Sequence, residues 1–107
     1  MWSKLMKASA TLLLGSMMYS GLASAAGDPE AGAQKITVCV ACHGLDGKAT
    51  ADIYPNLAGQ SASYLETSLK SYREGLRGGG MSMVMTPQTL NLSDQDIADI
   101  AAYYSQQ

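Results

Sequence analysis

Cys39-Val40-Ala41-Cys42-His43 is the stretch on which the reading of this chain turns. It contains both cysteines and the single histidine of a 107-residue sequence. Residues three apart on a helix project to the same side, so the two thiols face one way and the imidazole follows directly. A disulfide between them would close too small a loop to restrain the chain. Zinc asks for four nitrogen or sulfur ligands, and this cluster supplies three. A thioredoxin-like dithiol belongs beside a βαβ pattern, and no convincing strand is legible. The β-branched run Ile36-Thr37-Val38 is short and lies within a helical pattern.

Cys-x-x-Cys-His is the attachment signature of c-type haem. Two thiols on one side of a helix end reach the two vinyl groups of one porphyrin. The next residue, His43, is then placed to bind the iron axially. One haem c, covalent through Cys39 and Cys42, is the expected cofactor. No second histidine is available for the other axial position, so methionine is the expected partner, and a His/Met pair raises the reduction potential. Met81, Met83 and Met85 lie within five residues, on a stretch read as a loop closed by Pro87. Methionines used as core filler would be scattered along helices, so this cluster reads as a ligand loop. A haem-binding histidine also needs an acceptor for its other ring nitrogen. The Pro55 carbonyl, in the loop after the motif, is the natural choice.

Upstream of the motif the sequence changes character. Lys4 and Lys7 precede an apolar stretch from Ala8 to about Leu22, and Ala23-Ser24-Ala25 is a small-x-small cleavage signal. That order is a secretory signal peptide. The apolar stretch is interrupted by Gly15, Ser16, Ser20 and Gly21, and is short for a bilayer span. Residues 1–25 are therefore expected to be cleaved, with Ala26 as the next candidate site. Residues 26–107 form the single mature domain, exported to the periplasm with no membrane span after processing. Four of the seven methionines and the only tryptophan, Trp2, leave with the peptide. The mature part has five basic against nine acidic residues, a net of −4. Without a basic run it is unsuited to nucleic acid.

Downstream, helix signals are strong. Asp28 as N-cap, Pro29 at the first helical position and Glu30 at the positive dipole end predict a helix from Asp28 to about Ala41, bearing the cysteines on its last turn. Tyr64, Leu65, Leu69, Tyr72 and Leu76 form one face of a second helix starting near Ser61 and ending at Gly78-Gly79-Gly80. Ser93, with Asp96 three residues on, predicts a capped third helix. Ile97, Ile100, Ala101 and Tyr104 form its core-facing stripe.

Taken together, the haem motif, Pro55-Asn56-Leu57-Ala58-Gly59-Gln60, the methionine cluster and the segment from Leu92 to Tyr104 resemble the small bacterial monohaem class I cytochromes c. They are similar also to single halves of the related dihaem proteins. The resemblance spans the mature region from Gly27 to Tyr104. It implies an all-α class I cytochrome c fold, with three main helices and loops wrapped around one covalently bound haem. It implies a close crossing of the first and last helices, with Gly32 against Tyr103 or Tyr104. It also implies the Pro55 carbonyl as the His43 acceptor and Leu57 as a haem-packing residue. The family's spacing from the Leu92-Ser93-Asp94 helix start implies Met85 as the ligand, and the extra methionines leave Met83 and Met81 as alternatives.

The expected function is single-electron transfer outside the cytoplasm, with redox proteins as donors and acceptors. A haem subunit of a larger redox complex is the alternative. Haem enzyme chemistry needs an open iron position and nearby acid–base groups, and the one histidine is already committed. The acidic surface, to which a haem adds two propionates, predicts a basic docking surface on at least one partner.

Overall fold

The all-helical expectation holds over residues 26–107, which are those the computed structural model describes; the predicted signal peptide, residues 1–25, lies outside them. Five helices follow in order: α1 (Pro29–Ala33), α2 (Thr37–His43), α3 (Ala62–Arg73), α4 (Ser82–Thr89) and α5 (Asp94–Ser105). No strand occurs among the described residues. None of these helices is long and apolar enough to cross a membrane. α5 packs against α1 on one side and α3 on the other, and α3 also meets α4.

The first helix starts where its cap predicts, with the Asp28 carboxylate accepting the Glu30 N–H at 2.9 Å. It does not run on to the cysteines. After Ala33 the backbone tightens, with Gln34 and Lys35 donating to carbonyls three residues back. Ile36, at φ −93° and ψ 7°, starts α2 anew. The break has a packing cause. It sinks Ile36 into the core with Leu65, Ile100, Ala101 and Tyr104, and turns Lys35 toward the carboxylates of α5. One straight helix would not serve both.

α3 also departs from the expected end. It stops at Arg73 because Gly75 takes φ +71°, where only glycine sits without strain. The Gly75 N–H donates to Tyr72 O at 3.1 Å and the Leu76 N–H to Ser71 O at 2.8 Å, a Schellman close. Leu76, beyond that turn, is 75% exposed and leaves the stripe. The methionine stretch is helical rather than a loop. Met81 stands at the N-cap of α4 and Pro87 lies inside the helix, where its missing N–H deprives the Met83 carbonyl of a helical partner.

α5 carries a full capping box, with Ser93 and Asp96 exchanging hydrogen bonds of 3.0 Å in both directions. Its inner face, Ile97, Ala98, Ile100, Ala101 and Tyr104, is buried. Asp99 is buried on the same helix. Its carboxylate accepts the Asp28 N–H and the Gln95 amide at 2.8 Å, and Lys35 Nζ at 2.7 Å. These donors, the Asp28 N–H foremost, draw its carboxyl down to about 2. The stability it contributes is therefore complete above the ordinary aspartate value of about 4, and is lost as pH falls toward 2. The melting temperature should drop across that window. Asp99→Asn should lower it at neutral pH and flatten the drop, as thermal melts across pH 2–7 would register.

Candidate functional site

The site grows from the end of α2. Cys39 and Cys42 are half-buried and His43 is buried. Directly after His43, Gly44 takes φ +73°, and a Cβ there would lie 2.3 Å from Lys48 O. The chain thus turns sharply and its next loop folds back over the motif. The Ala49 N–H donates to Asn56 Oδ1 at 2.7 Å, and the N–H groups of Leu57 and Ala58 donate to Gly47 O. This fold-back brings Pro55 to the imidazole, where His43 Nδ1 donates to Pro55 O at 2.9 Å. With Nδ1 so engaged, Nε2 is the nitrogen left free for a metal.

Two tyrosines of α5 fasten the same turn. Tyr104 Oη donates to Gly44 O at 2.9 Å, and Tyr103 Oη to Leu45 O. Their rings meet edge to face, 5.1 Å apart. Burial raises the Tyr104 hydroxyl above its ordinary pKa, keeping it a neutral donor. The sequence places Tyr104 in a core stripe and Tyr103 or Tyr104 at the helix crossing, but carries no signal for these hydroxyl bonds to the turn after His43. The close crossing is present as well. A Cβ on Gly32 would lie 2.0 Å from Asp99 O and 2.9 Å from Tyr103 Cβ.

Two clefts of about 150 and 220 Å³ open beside His43. Both are lined by Cys39, His43, Pro55, Tyr72 and Met85. Leu57, Leu65, Leu69 and Ile100 give the first its apolar wall, and Cys42 joins the second. The methionines separate clearly. Met85 is half-buried and lines both clefts. Met81 is 50% exposed and lines the second alone, and Met83 is 75% exposed and lines neither. Tyr64, half of it exposed, and Tyr72 face the first cleft, so the α3 stripe borders a cavity more than a core.

The Cys39 thiol is pushed up to about 11, first by burial and then by the neighbouring Cys42. A reactive dithiol needs the opposite shift. The pair also sits at the C-terminal end of a helix, where the dipole disfavours a thiolate. Two adjacent thiols, a free imidazole nitrogen and an apolar slot suit a porphyrin attached by thioethers. No cluster of three or more metal-binding His, Cys, Asp or Glu side chains occurs among the described residues.

The cytochrome c family model matches residues 29–107. This chain belongs to the cytochrome c family. It is 65% identical over 82 residues to cytochrome c-554(548) of Halomonas halodenitrificans, covering 77% of this chain and 99% of that one. It is 47% identical over 95 residues to cytochrome c4 of Pseudomonas aeruginosa, covering 89% of this chain and 46% of that one. The crystal structure of reduced recombinant cytochrome c4 from Pseudomonas stutzeri superposes with a TM-score of 0.68 at 45% identity, covering 77% of this chain and 46% of that one. The chain spans about half the length of the cytochrome c4 chains it matches. As a member of this family the protein carries haem c, attached through Cys39 and Cys42, and its chemistry is haem-based electron transfer.

Proposed function

We propose that this cytochrome is an exported, periplasmic single-electron carrier whose iron is held between His43 and Met85. The observation carrying this reading is the convergence of His43 and Met85 on both clefts, beside the two thiols. Bound haem supplies a one-electron change at iron. The protein's residues supply the rest. Pro55 O fixes the tautomer and orientation of His43 and strengthens it as a ligand. The tyrosine clamp holds the turn behind it. Leu57, Leu65 and Leu69 exclude water from the first cleft, so little solvent must reorganise when the charge changes. With His43 and Met85 both holding the group, no substrate would need to bind the metal, and a partner would need only to approach an exposed edge.

Two measurements test this reading. Intact-mass analysis of the periplasmic protein should show haem retained after acid–acetone extraction and a chain lacking Trp2. Haem that washes out, or a mature chain that keeps Trp2, would contradict it. The mature net charge of −4 also predicts a basic surface on at least one redox partner. Electron-transfer rates with that partner should fall from low to physiological ionic strength. A flat or rising rate would show that docking is not driven by this charge.

A further inference from the structure

Among the described residues Tyr104 is the largest fully buried side chain, 1% exposed, and it packs with Ile36, Leu65, Ile100 and Ala101. Phenylalanine would fill that space equally well. The hydroxyl has a separate task. It donates to Gly44 O at 2.9 Å, across 60 positions of sequence. Gly44 is itself buried, so water is poorly placed to replace this donor, and an unpaired buried carbonyl is costly.

Gly44 is where the helix bearing the cysteines ends and the loop carrying Pro55 begins. Its N–H closes α2 on Val40 O at 2.9 Å. Thr50 ties the returning loop to the same helix end, its N–H donating to Cys42 O at 3.0 Å and its hydroxyl to Ala41 O at 2.9 Å. Those bonds join the loop to α2. The tyrosine hydroxyls join it to α5, whose Ile100 and Ala101 wall the first cleft beside His43. Tyr104 holds the peptide group directly after His43, and Tyr103 holds the next one, nearer solvent.

On the reading that His43 binds the iron, we infer that Tyr104 is a positioning residue: its hydroxyl holds Gly44 O, keeps Pro55 O on His43 Nδ1 and thereby lowers the reduction potential. The Nδ1–H bond to Pro55 O pushes electron density onto Nε2 and makes it a stronger ligand. A stronger nitrogen donor favours ferric iron. A turn released from Tyr104 lets Pro55 O draw away, and the balance moves toward ferrous.

Redox titration of the haem-loaded protein tests this with Tyr104→Phe, which keeps the ring and its packing. The iron equilibrium should move roughly threefold toward ferrous, a fraction of what a whole hydrogen bond is worth. In the ferrous protein, proton magnetic resonance should show the His43 Nδ1 proton exchanging with solvent faster than in the parent. Tyr103→Phe should move the potential less. A hydroxyl that only stabilises the fold would lower the melting temperature and leave both readouts alone. An unmoved or lower potential, unaltered Nδ1 exchange, or a larger shift in Tyr103→Phe would overturn the proposal. The ferric protein separates this role from the ligand reading, because unpaired spin displaces the His43 ring protons only if the ring is bound to iron. Displaced ring protons with an unmoved potential would refute the role of Tyr104 alone. Ring protons at ordinary frequencies would refute the ligand reading and the role of Tyr104 with it.

Discussion

Met85→Ala abolishes the weak red absorption band of the ferric protein and lowers its reduction potential, while Met83→Ala and Met81→Ala keep the band. That is the expected result, and α4 supplies its reason. Because the segment is helical, Met85 stands one turn beyond Met81, and Met83 is turned away from both. Burial follows the same order. Met83 is 75% exposed and Met81 50%, whereas Met85 is half-buried and reaches both clefts beside His43. Bringing Met83 to the iron would require α4 to unwind or rotate by about half a turn. A thioether favours ferrous iron, so its loss favours ferric. Axial ligation spans a window of about 0.8 V across haem proteins, and the fall should be a sizeable part of it. Visible spectra and redox titration of the three variants decide the matter. If Met83→Ala removes the band and Met85→Ala does not, α4 has a different register in the loaded protein. His43 would then still be paired with a methionine, but with the wrong one named here.

What the sequence made legible was mostly local chemistry. Cys39, Cys42 and His43 are adjacent in the chain, so their shared purpose needs no tertiary information. The caps at Asp28 and Ser93 bond within three residues of themselves, and both helix starts were foreseen. Three features differ from the sequence reading. The break between α1 and α2 exists because Ile36 belongs to a core built from α3 and α5 while Lys35 belongs to Asp96 and Asp99. The stop after Arg73 was misplaced because the triple glycine outweighed the single Gly75 that takes the left-handed turn. The methionine segment read as a loop because Pro87 and the glycines pointed that way, yet α4 forms and packs on α3. Hydrophobic stripes carry a deeper ambiguity. A face built to pack on a cofactor looks the same as one built to pack on a helix. Thus Tyr64, Leu69 and Tyr72 are legible as one helix face, but not as the lining of a cleft.

Gly32→Ala should damage the fold badly. Intrinsic helix propensity points the other way, since alanine is favoured over glycine inside a helix by about 1 kcal/mol. Packing overrules it. The added carbon would lie 2.0 Å from Asp99 O and 2.7 Å from the Asp99 carbonyl carbon. Both are backbone atoms, so no rotamer change relieves the clash. α1 would have to lift from α5, and with it the Asp28 N–H and Lys35 would draw away from the Asp99 carboxylate. Overpacking costs about 1–3 kcal/mol where side chains can yield, and a clash with helix backbone should reach at least the top of that range. For a domain of this size about 3 kcal/mol corresponds to a melting temperature lower by more than roughly 10 °C. Tyr103 Cβ, 2.9 Å from the same point, belongs to the clamp over the His43 turn. The damage should therefore reach the site, and the red band of the ferric protein should weaken along with the fold. Thermal unfolding of the loaded protein, followed both by far-ultraviolet circular dichroism and by that band, gives the answer. A variant as stable as the parent would mean that the two helices do not cross at Gly32.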